Sequence, residues 1–122
     1  MNNDYYSQLP NEDILRNELN NLFKDFGMEL KGNIGEIMYA KRCFVRNGPG
    51  MHLVLSGTKG SVTVLIINGE YVHNRMMIRG TCMDWILTPC SIGSLAIIGN
   101  KDEPLDAVEN AISANIRWTY LH

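Results

Sequence analysis

The sequence predicts an α+β domain in which an antiparallel sheet of five or six strands is flanked by an N-terminal and a C-terminal helix. Two observations predict this class: apolar residues recur at helical spacing near each end, and short β-branched runs separated by glycine-containing turns fill the middle. Strands grouped between two helices are typical of α+β domains rather than of alternating βαβ units. The 122 residues suit a single domain, which we expect at residues 11–122 after a mobile leader at residues 1–10.

The N-terminal helix is predicted to begin at Asn11 and to end at Gly27. Asn11 suits an N-cap, and the acidic residues that follow it favour the positive end of the helix dipole. Gly27 suits the left-handed backbone that ends many helices. One apolar stripe between these signals must pack on the rest of the fold. Its residues are Leu15, Leu19, Leu22, Phe23 and Phe26.

Six runs in the middle of the chain are predicted strands, and we interpret them as a meander. They are residues 35–44, 51–56, 61–67, 75–79, 82–87 and 94–98. A four-residue loop joins the second run to the third, so these two should pair as an antiparallel hairpin. In the third run, apolar side chains point to both sides of the strand: Val64 belongs to one set and Leu65 to the other. This pattern predicts a central strand that is covered on both faces.

The C-terminal helix is predicted to begin near Pro104, whose fixed φ suits the first helical turn. Its apolar face is predicted from spacing. The residues of this face are Leu105, Val108, Ile112 and Ile116. Trp118 is expected to close the helix as an apolar anchor, and Trp85 is interpreted as a second anchor.

Composition excludes several broad function classes. The formal net charge of -2 gives no global field for nucleic acid or an anionic membrane. The longest apolar stretch, residues 62–67, is far shorter than the roughly 20 residues that span a bilayer.

The three cysteines, Cys43, Cys82 and Cys90, are an odd number without CxxC spacing. They indicate neither a disulfide framework nor a zinc ribbon, and a bond between Cys82 and Cys90 would need a turn between them.

Two further segments have a structural and a functional interpretation. The loop at residues 57–60 could cradle an anion through its backbone amides and Lys59, although a hairpin connection is the favoured interpretation. Met76, Met77 and Met83 follow a polar loop. Methionines in this position are typical either of core filling or of an adaptable binding surface.

Cys43 and His52 are the weak candidates for a metal or redox site. They lie near the adjoining ends of two predicted strands and could face each other across a hairpin. Thiolate, imidazole and thioether favour Cu(I), which adds Met38 and Met51 to the candidates. Because Met51 and His52 are adjacent on a strand and point to opposite faces, they cannot both join Cys43 in one site. A half-buried histidine beside a buried thiol is favoured, and we predict no catalytic residue and no cofactor.

Four segments of the chain resemble one family in their order and spacing. They are Gly50-Met51-His52-Leu53-Val54, Gly57-x-x-Gly60-x-Val62-Thr63-Val64-Leu65, Gly93-Ser94-Leu95-Ala96-Ile97-Ile98-Gly99 and Glu103-Pro104-Leu105. Over about residues 15–118 the chain resembles an uncharacterised family of small proteobacterial proteins that look anti-sigma-like. Cys43 also stands where members of that family carry a cysteine.

The resemblance implies the C-terminal extracytoplasmic domain of a single-pass inner-membrane protein. We therefore expect a non-enzymatic sensory or protein-interaction domain, the extracytoplasmic part of a membrane-tethered regulator on the periplasmic side. Without the resemblance, the expected location is the cytoplasm. The expected partner is an unidentified protein or small ligand, with no nucleic acid, and with membrane contact only through a segment absent from this chain. The alternative is a redox or copper-binding protein that uses Cys43 and His52.

Overall fold

A computed structural model describes residues 12–45 and 48–119 of the chain. Its elements, in chain order, are helix α1 (Glu12–Asp25), strands β1 (Met28–Leu30), β2 (Ile37–Val45), β3 (Gly48–Ser56), β4 (Ser61–Asn68), β5 (Met76–Arg79), β6 (Met83–Cys90) and β7 (Gly93–Asn100), helix α2 (Leu105–Asn115) and strand β8 (Ile116–Trp118). The predicted α+β class is confirmed, because a six-stranded antiparallel sheet is flanked by an N-terminal and a C-terminal helix. Asn11 and the leader predicted at residues 1–10 lie outside the described residues.

The six-stranded sheet has the order β2-β3-β4-β7-β6-β5. The predicted antiparallel hairpin is confirmed, since Ser56 pairs with Ser61 across the loop between β3 and β4. The predicted meander is wrong beyond β4, because the chain crosses from β4 to the far edge and returns through β5, β6 and β7. This order puts the apolar strands β4 and β7 side by side at the centre. It leaves the short strand β5 at an edge of the sheet that the described residues form.

The loop from β4 to β5 is held by several hydrogen bonds, and the first is donated by the amide of Gly69 to the carbonyl oxygen of Ile92 at 2.8 Å. The backbone N–H of Val72 donates to Ser94 Oγ at 3.0 Å, and that hydroxyl donates to the carbonyl oxygen of Glu70. Further along the loop, the Arg75 guanidinium forms a fork on the Glu109 carboxylate of α2, with N···O distances of 2.8 to 3.1 Å. These contacts fix the crossing that the sequence pattern does not reveal.

Gly93 lies where this loop passes the start of β7, and its replacement gives the first testable prediction. A methyl group there would overlap the carbonyl oxygen of Ile67 and the amide nitrogen of Gly69. Because these are backbone atoms, they cannot move aside as a side chain can. We expect Gly93→Ala to lower the free energy of unfolding by about 2–3 kcal/mol in urea denaturation.

The matched control is Gly99→Ala on the same strand. A methyl at Gly99 meets side-chain atoms instead, Leu105 Cδ2 at 2.9 Å and Glu103 Cγ at 3.1 Å, which can shift more easily than backbone atoms. This variant should therefore lose less stability than Gly93→Ala. Equal losses in the two variants would mean that backbone contact at Gly93 does not constrain the loop.

One face of the sheet forms the hydrophobic core, and we call it the covered face. Its inward side chains are almost completely buried: Met51, Leu53, Leu55, Val62, Val64, Ile66, Ile86, Leu95 and Ile97. Phe23 of α1, Phe26 just after it, and Leu105 and Ile112 of α2 belong to the same core cluster. Both helices therefore contribute their apolar stripes to this one face, as expected for a two-layer domain.

The opposite alternation of the strands forms the open face, on which the described residues place no helix. Its residues are Tyr39, Lys41, Cys43, Gly50, His52, Val54, Ser56, Ser61, Thr63, Leu65, Ile67, Met76, Ile78, Met83, Trp85, Leu87, Pro89, Ser94, Ala96, Ile98 and Asn100. The prediction that β4 is central is confirmed. The prediction that β4 is covered on both faces is wrong for the described part of the chain, because Leu65 is only partly buried whereas Val64 is 1% exposed.

The two helices end differently. As predicted, α1 is followed by a left-handed glycine: Gly27 has φ 73°, and its amide donates to the carbonyl of Lys24 at 3.0 Å. The predicted end of α2 is wrong, because Ile116 has an extended backbone and begins β8. Trp118 consequently pairs with Met28 of β1 instead of closing the helix. Local spacing misplaces Ile116 because this pairing is contributed by a distant part of the chain.

Candidate functional site

The glycine-containing loop between β3 and β4 binds a carboxylate from within the chain. The amide of Thr58 donates to Glu103 Oε2 at 2.9 Å, and the amide of Lys59 donates to Glu103 Oε1 at 2.6 Å. The hydroxyl of Thr58 also donates to Oε2, at 3.2 Å. Glu103 is 6% exposed, so it fills the cradle from the protein side. These amides are therefore engaged internally, and the loop is the hairpin connection that the sequence favours.

The environment of Glu103 keeps its carboxyl group ionised at neutral pH. Burial by itself would raise its pKa, but the hydrogen bonds from Thr58 and Lys59 outweigh burial and lower the pKa below the ordinary value of 4.5. The carboxylate thus joins the hairpin loop to the segment just before α2. We call this arrangement the Glu103 lock.

The close contacts around Gly57 explain why this loop needs small residues. A methyl on Gly57 would lie 2.7 Å from Glu103 Oε2 and 2.7 Å from the carbonyl oxygen of Gly60. Gly60 itself has φ 120°, a conformation that residues with a side chain rarely adopt. Two of the four segments that carry the family resemblance therefore meet in space at the Glu103 lock, where their residues stabilise the fold.

Asp84 is a second buried carboxylate, and it lies on the covered face of β6. Asp84 Oδ2 accepts a hydrogen bond from the amide of Asp102 at 3.2 Å and lies 3.5 Å from an Arg79 nitrogen; Oδ1 lies 3.5 Å from Lys101 Nζ. Burial would raise the pKa of Asp84, but Asp102, Lys101 and Arg79 lower it overall. Sequence reasoning missed Asp84, although its spacing from the buried Ile86 puts both residues on one face.

Cys43 and His52, the candidates from the sequence, lie on the same side of the sheet. Cys43 pairs with Gly50, and His52 pairs with Lys41, which puts the two side chains one diagonal step apart. Within residues 12–45 and 48–119, no three His, Cys, Asp or Glu side chains form a group that could hold a metal ion. Met51 is fully buried on the covered face, opposite to His52, as strand alternation predicts.

His52 packs against an aromatic ring and beside a cation. The rings of Tyr39 and His52 meet edge to face, with centroids 5.3 Å apart and planes at 77°. Burial and the neighbouring Lys41 lower the pKa of His52 below its usual 6.5. The imidazole is therefore neutral near pH 7, and a neutral imidazole does not supply the positive charge that stabilises a thiolate.

Alkylation of Cys43 tests this chemistry. We expect Cys43 to react with iodoacetamide near neutral pH no faster than a small free thiol, because His52 is neutral. The rate is measured by mass spectrometry in a Cys82→Ser/Cys90→Ser background, so that only one thiol reports. His52→Ala in the same background should leave the rate unchanged. A fast reaction that His52→Ala suppresses would contradict this expectation and support the redox alternative.

The other two cysteines are unpaired. Cys82 is exposed and Cys90 is partly buried, and they lie at opposite ends of the extended segment that contains β6. Burial is the main cause that raises the pKa of the Cys90 thiol. The turn that a disulfide between them would require is therefore not present.

The open face exposes large apolar side chains. The exposed fractions are 43% for Met76, 44% for Ile78, 39% for Met83 and 40% for Trp85. Trp85, which the sequence interprets as an anchor, does not lie in the core, because strand alternation turns it away from the buried Ile86. The interpretation as core filling holds for Met77, which packs against the core, whereas Met76 and Met83 are exposed on the open face.

Comparison with known proteins identifies a family that the chain matches but no individual relative. A family model described as a protein of unknown function, DUF3379, matches residues 2–116. No curated protein and no solved structure matches the chain significantly. Neither α1 nor α2, the helices of the described ranges, is long and apolar enough to cross a membrane.

Proposed function

The chain belongs to the DUF3379 family of proteins of unknown function, and we propose that it is a non-enzymatic protein-interaction domain whose binding surface is the open face. The observation that carries this proposal is the contrast between the two sides of the sheet. Both helices pack on the covered face, whereas Trp85 and its exposed apolar neighbours remain on the other side. A contiguous exposed apolar patch on a soluble domain is typical of an interaction site.

The family segments support a role without catalysis. Gly57 and Glu103 form the Glu103 lock, and Gly93 permits the close passage of the loop that leaves β4. Each of these residues has a structural reason to be present, so the motifs need no catalytic explanation. The residues left for function are then those of the open face.

The finer proposal is that the domain is the extracytoplasmic part of a membrane-tethered, anti-sigma-like regulator of the proteobacterial inner membrane. The resemblance of the four sequence segments supports it, and the membrane segment would lie outside this chain. In such a regulator, a partner that binds the open face stabilises the folded domain by mass action. The binding energy then becomes available to change the state of the tethered protein.

The alternative function is a redox or copper-binding protein that uses Cys43 and His52. The observation that favours it is the register of β2 and β3, which puts the two side chains on one side of the sheet. Anaerobic titration with Cu(I) separates the two functions. The interaction proposal expects no tight binding, whereas the alternative expects stoichiometric binding that both Cys43→Ser and His52→Ala abolish.

Photocrosslinking in the native bacterium tests the interaction proposal with the protein in its own setting. A photoreactive phenylalanine analogue is introduced at position 85 on the open face, and a matched control carries it at Asn110, which is exposed on α2. We expect a discrete protein adduct from position 85 and none from position 110. Met76→Glu, at the edge of the same face, should weaken the adduct because it places a charge in an apolar contact.

Two results would contradict the proposal. Equal adduct patterns from positions 85 and 110 would mean that the open face makes only random encounters. The absence of any adduct at position 85, with the protein folded and expressed, would leave the face without a protein partner.

A further inference from the structure

We propose that the partner of the open face is a second copy of this chain, related by a twofold axis that runs along the strands between β4 and β7. This inference rests on the proposed function, because it names the partner of the same surface. In the resulting dimer, two sheets pack face to face, and the helices of each copy lie on the outside. Face-to-face sheets pack about 10 Å apart with their strands within about 30° of each other.

The size of the open face suits a stable interface. The face spans six strands, which gives a width of about 29 Å at ~4.8 Å per strand. Along the strands it extends about 20 Å, or six residues at ~3.3 Å each. The projected area is then about 570 Å² per copy, so two copies together exceed the roughly 1,000 Å² that is the minimum for a specific interface. Because the side chains make the face uneven, its accessible area is larger than this projected area.

The near absence of charge on the open face favours a second copy of this chain over a charged partner. Among the residues that define the face, Lys41 carries the only formal charge near pH 7, and no carboxylate is present. An acidic or basic partner would therefore find little complementary charge, and charged residues are depleted from the centre of protein interfaces. A second copy presents a surface that is equally apolar.

Lys41 also selects the direction of the twofold axis. An axis across the strands would place β2 of one copy over β2 of the other and would bring the two Lys41 side chains together. An axis along the strands instead places Lys41 over the β5 edge of the partner, where Met76 lies in the same row. There the aliphatic part of the lysine can cover apolar surface while its ammonium group reaches water.

The two strands at the centre of the face present leucines around a small residue. Leu65 pairs with Ala96 across β4 and β7, and Leu87 pairs with Ala96 on the other side. Ala96 is 3% exposed, so the two leucines shield it and form the outer surface there. An axis between β4 and β7 brings Leu65 of each copy over the Ala96 of the other. Such reciprocal contacts are the requirement of a twofold interface.

Sedimentation equilibrium of the purified chain tests the dimer. The wild type should reach twice its mass of 13.8 kDa as its concentration rises. Trp85→Glu should weaken the dimer by at least about 30-fold, because it buries a charge within an apolar contact. The matched control is Phe44→Glu, since Phe44 is 82% exposed but lies off the open face. It should dimerise like the wild type, and circular dichroism should show all three proteins folded.

Three outcomes would overturn the dimer: a wild type that stays monomeric at about millimolar concentration, a dimer that survives Trp85→Glu, or equal weakening by Phe44→Glu. The crosslinking experiment separates this failure from failure of the proposed function. If the wild type is monomeric but position 85 crosslinks to another protein, self-association is wrong and the interaction domain stands. If the wild type is monomeric and position 85 gives no adduct, both proposals fail.

Discussion

Replacing Leu53 by alanine should lower the free energy of unfolding by about 3–5 kcal/mol, because it leaves a cavity in the core of the covered face. Leu53 is 1% exposed and pairs with the equally buried Val64. The same change at Leu65, on the next strand but on the open face, should cost only about 1–2 kcal/mol, since a partly exposed site leaves no sealed cavity. Both losses are measured by urea denaturation at low protein concentration, where the open face is unoccupied.

This pair of leucines is a matched comparison, because the residue type, the substitution and the central position in the sheet are the same. Only the face differs. Equal losses at Leu53 and Leu65 under these dilute conditions would show that the chain covers both faces of its sheet, as the sequence pattern alone predicts.

Replacing Glu103 by glutamine should lower the free energy of unfolding by about 2–4 kcal/mol. The two oxygens of Glu103 accept from different donors: Oε1 from the Lys59 amide, and Oε2 from the Thr58 amide and hydroxyl. A glutamine can supply an acceptor on one side only, and its NH₂ group would face a donor on the other. The control Asp106→Asn alters a side chain that is 70% exposed, so it should change stability by less than about 1 kcal/mol.

The same carboxylate predicts the pH dependence of stability. Because folding lowers the pKa of Glu103 below 4.5, the unfolded chain binds this proton first as the pH falls. The stabilisation is complete above pH 4.5, and it is lost as the pH falls through the lower pKa of the folded state. Glu103→Gln should therefore show a shallower acid loss of stability than the wild type. Parallel curves for the two proteins would show that the Glu103 lock contributes nothing to acid unfolding.

The elements that depend on local signals could be predicted from the sequence. Gly27 ends α1 with a left-handed backbone, and the loop at residues 57–60 closes the hairpin of β3 and β4. The crossing from β4 to β5 could not be predicted, because it depends on the contacts of Ser94 and Arg75 with distant residues. Strand β8 escaped prediction for the same reason, since Ile116 fits a helical stripe until its pairing with β1 is known.

The open face could not be predicted from the apolar pattern of the strands. Apolar residues on both alternations of β4 are equally consistent with helices on both faces and with one face that binds another molecule. Nothing local distinguishes the two, so the sequence pattern by itself predicts that Leu65 is covered. The Glu103 lock was missed because Thr58 and Glu103 are 45 residues apart. A signal for it was present in the glycines at both ends of the loop, which indicate a close approach to another part of the chain.

The accessibility of Trp85 tests most directly whether the open face is an uncovered binding surface. In a Trp118→Phe variant, Trp85 is the remaining tryptophan, so its emission and its quenching by acrylamide report on this face alone. In dilute solution we expect long-wavelength emission that acrylamide quenches readily, with protection and a shift to shorter wavelength as a partner occupies the face. Short-wavelength emission that stays protected at the lowest concentration would show that the chain covers this face itself, and would contradict the assignment of the open face as an uncovered binding surface.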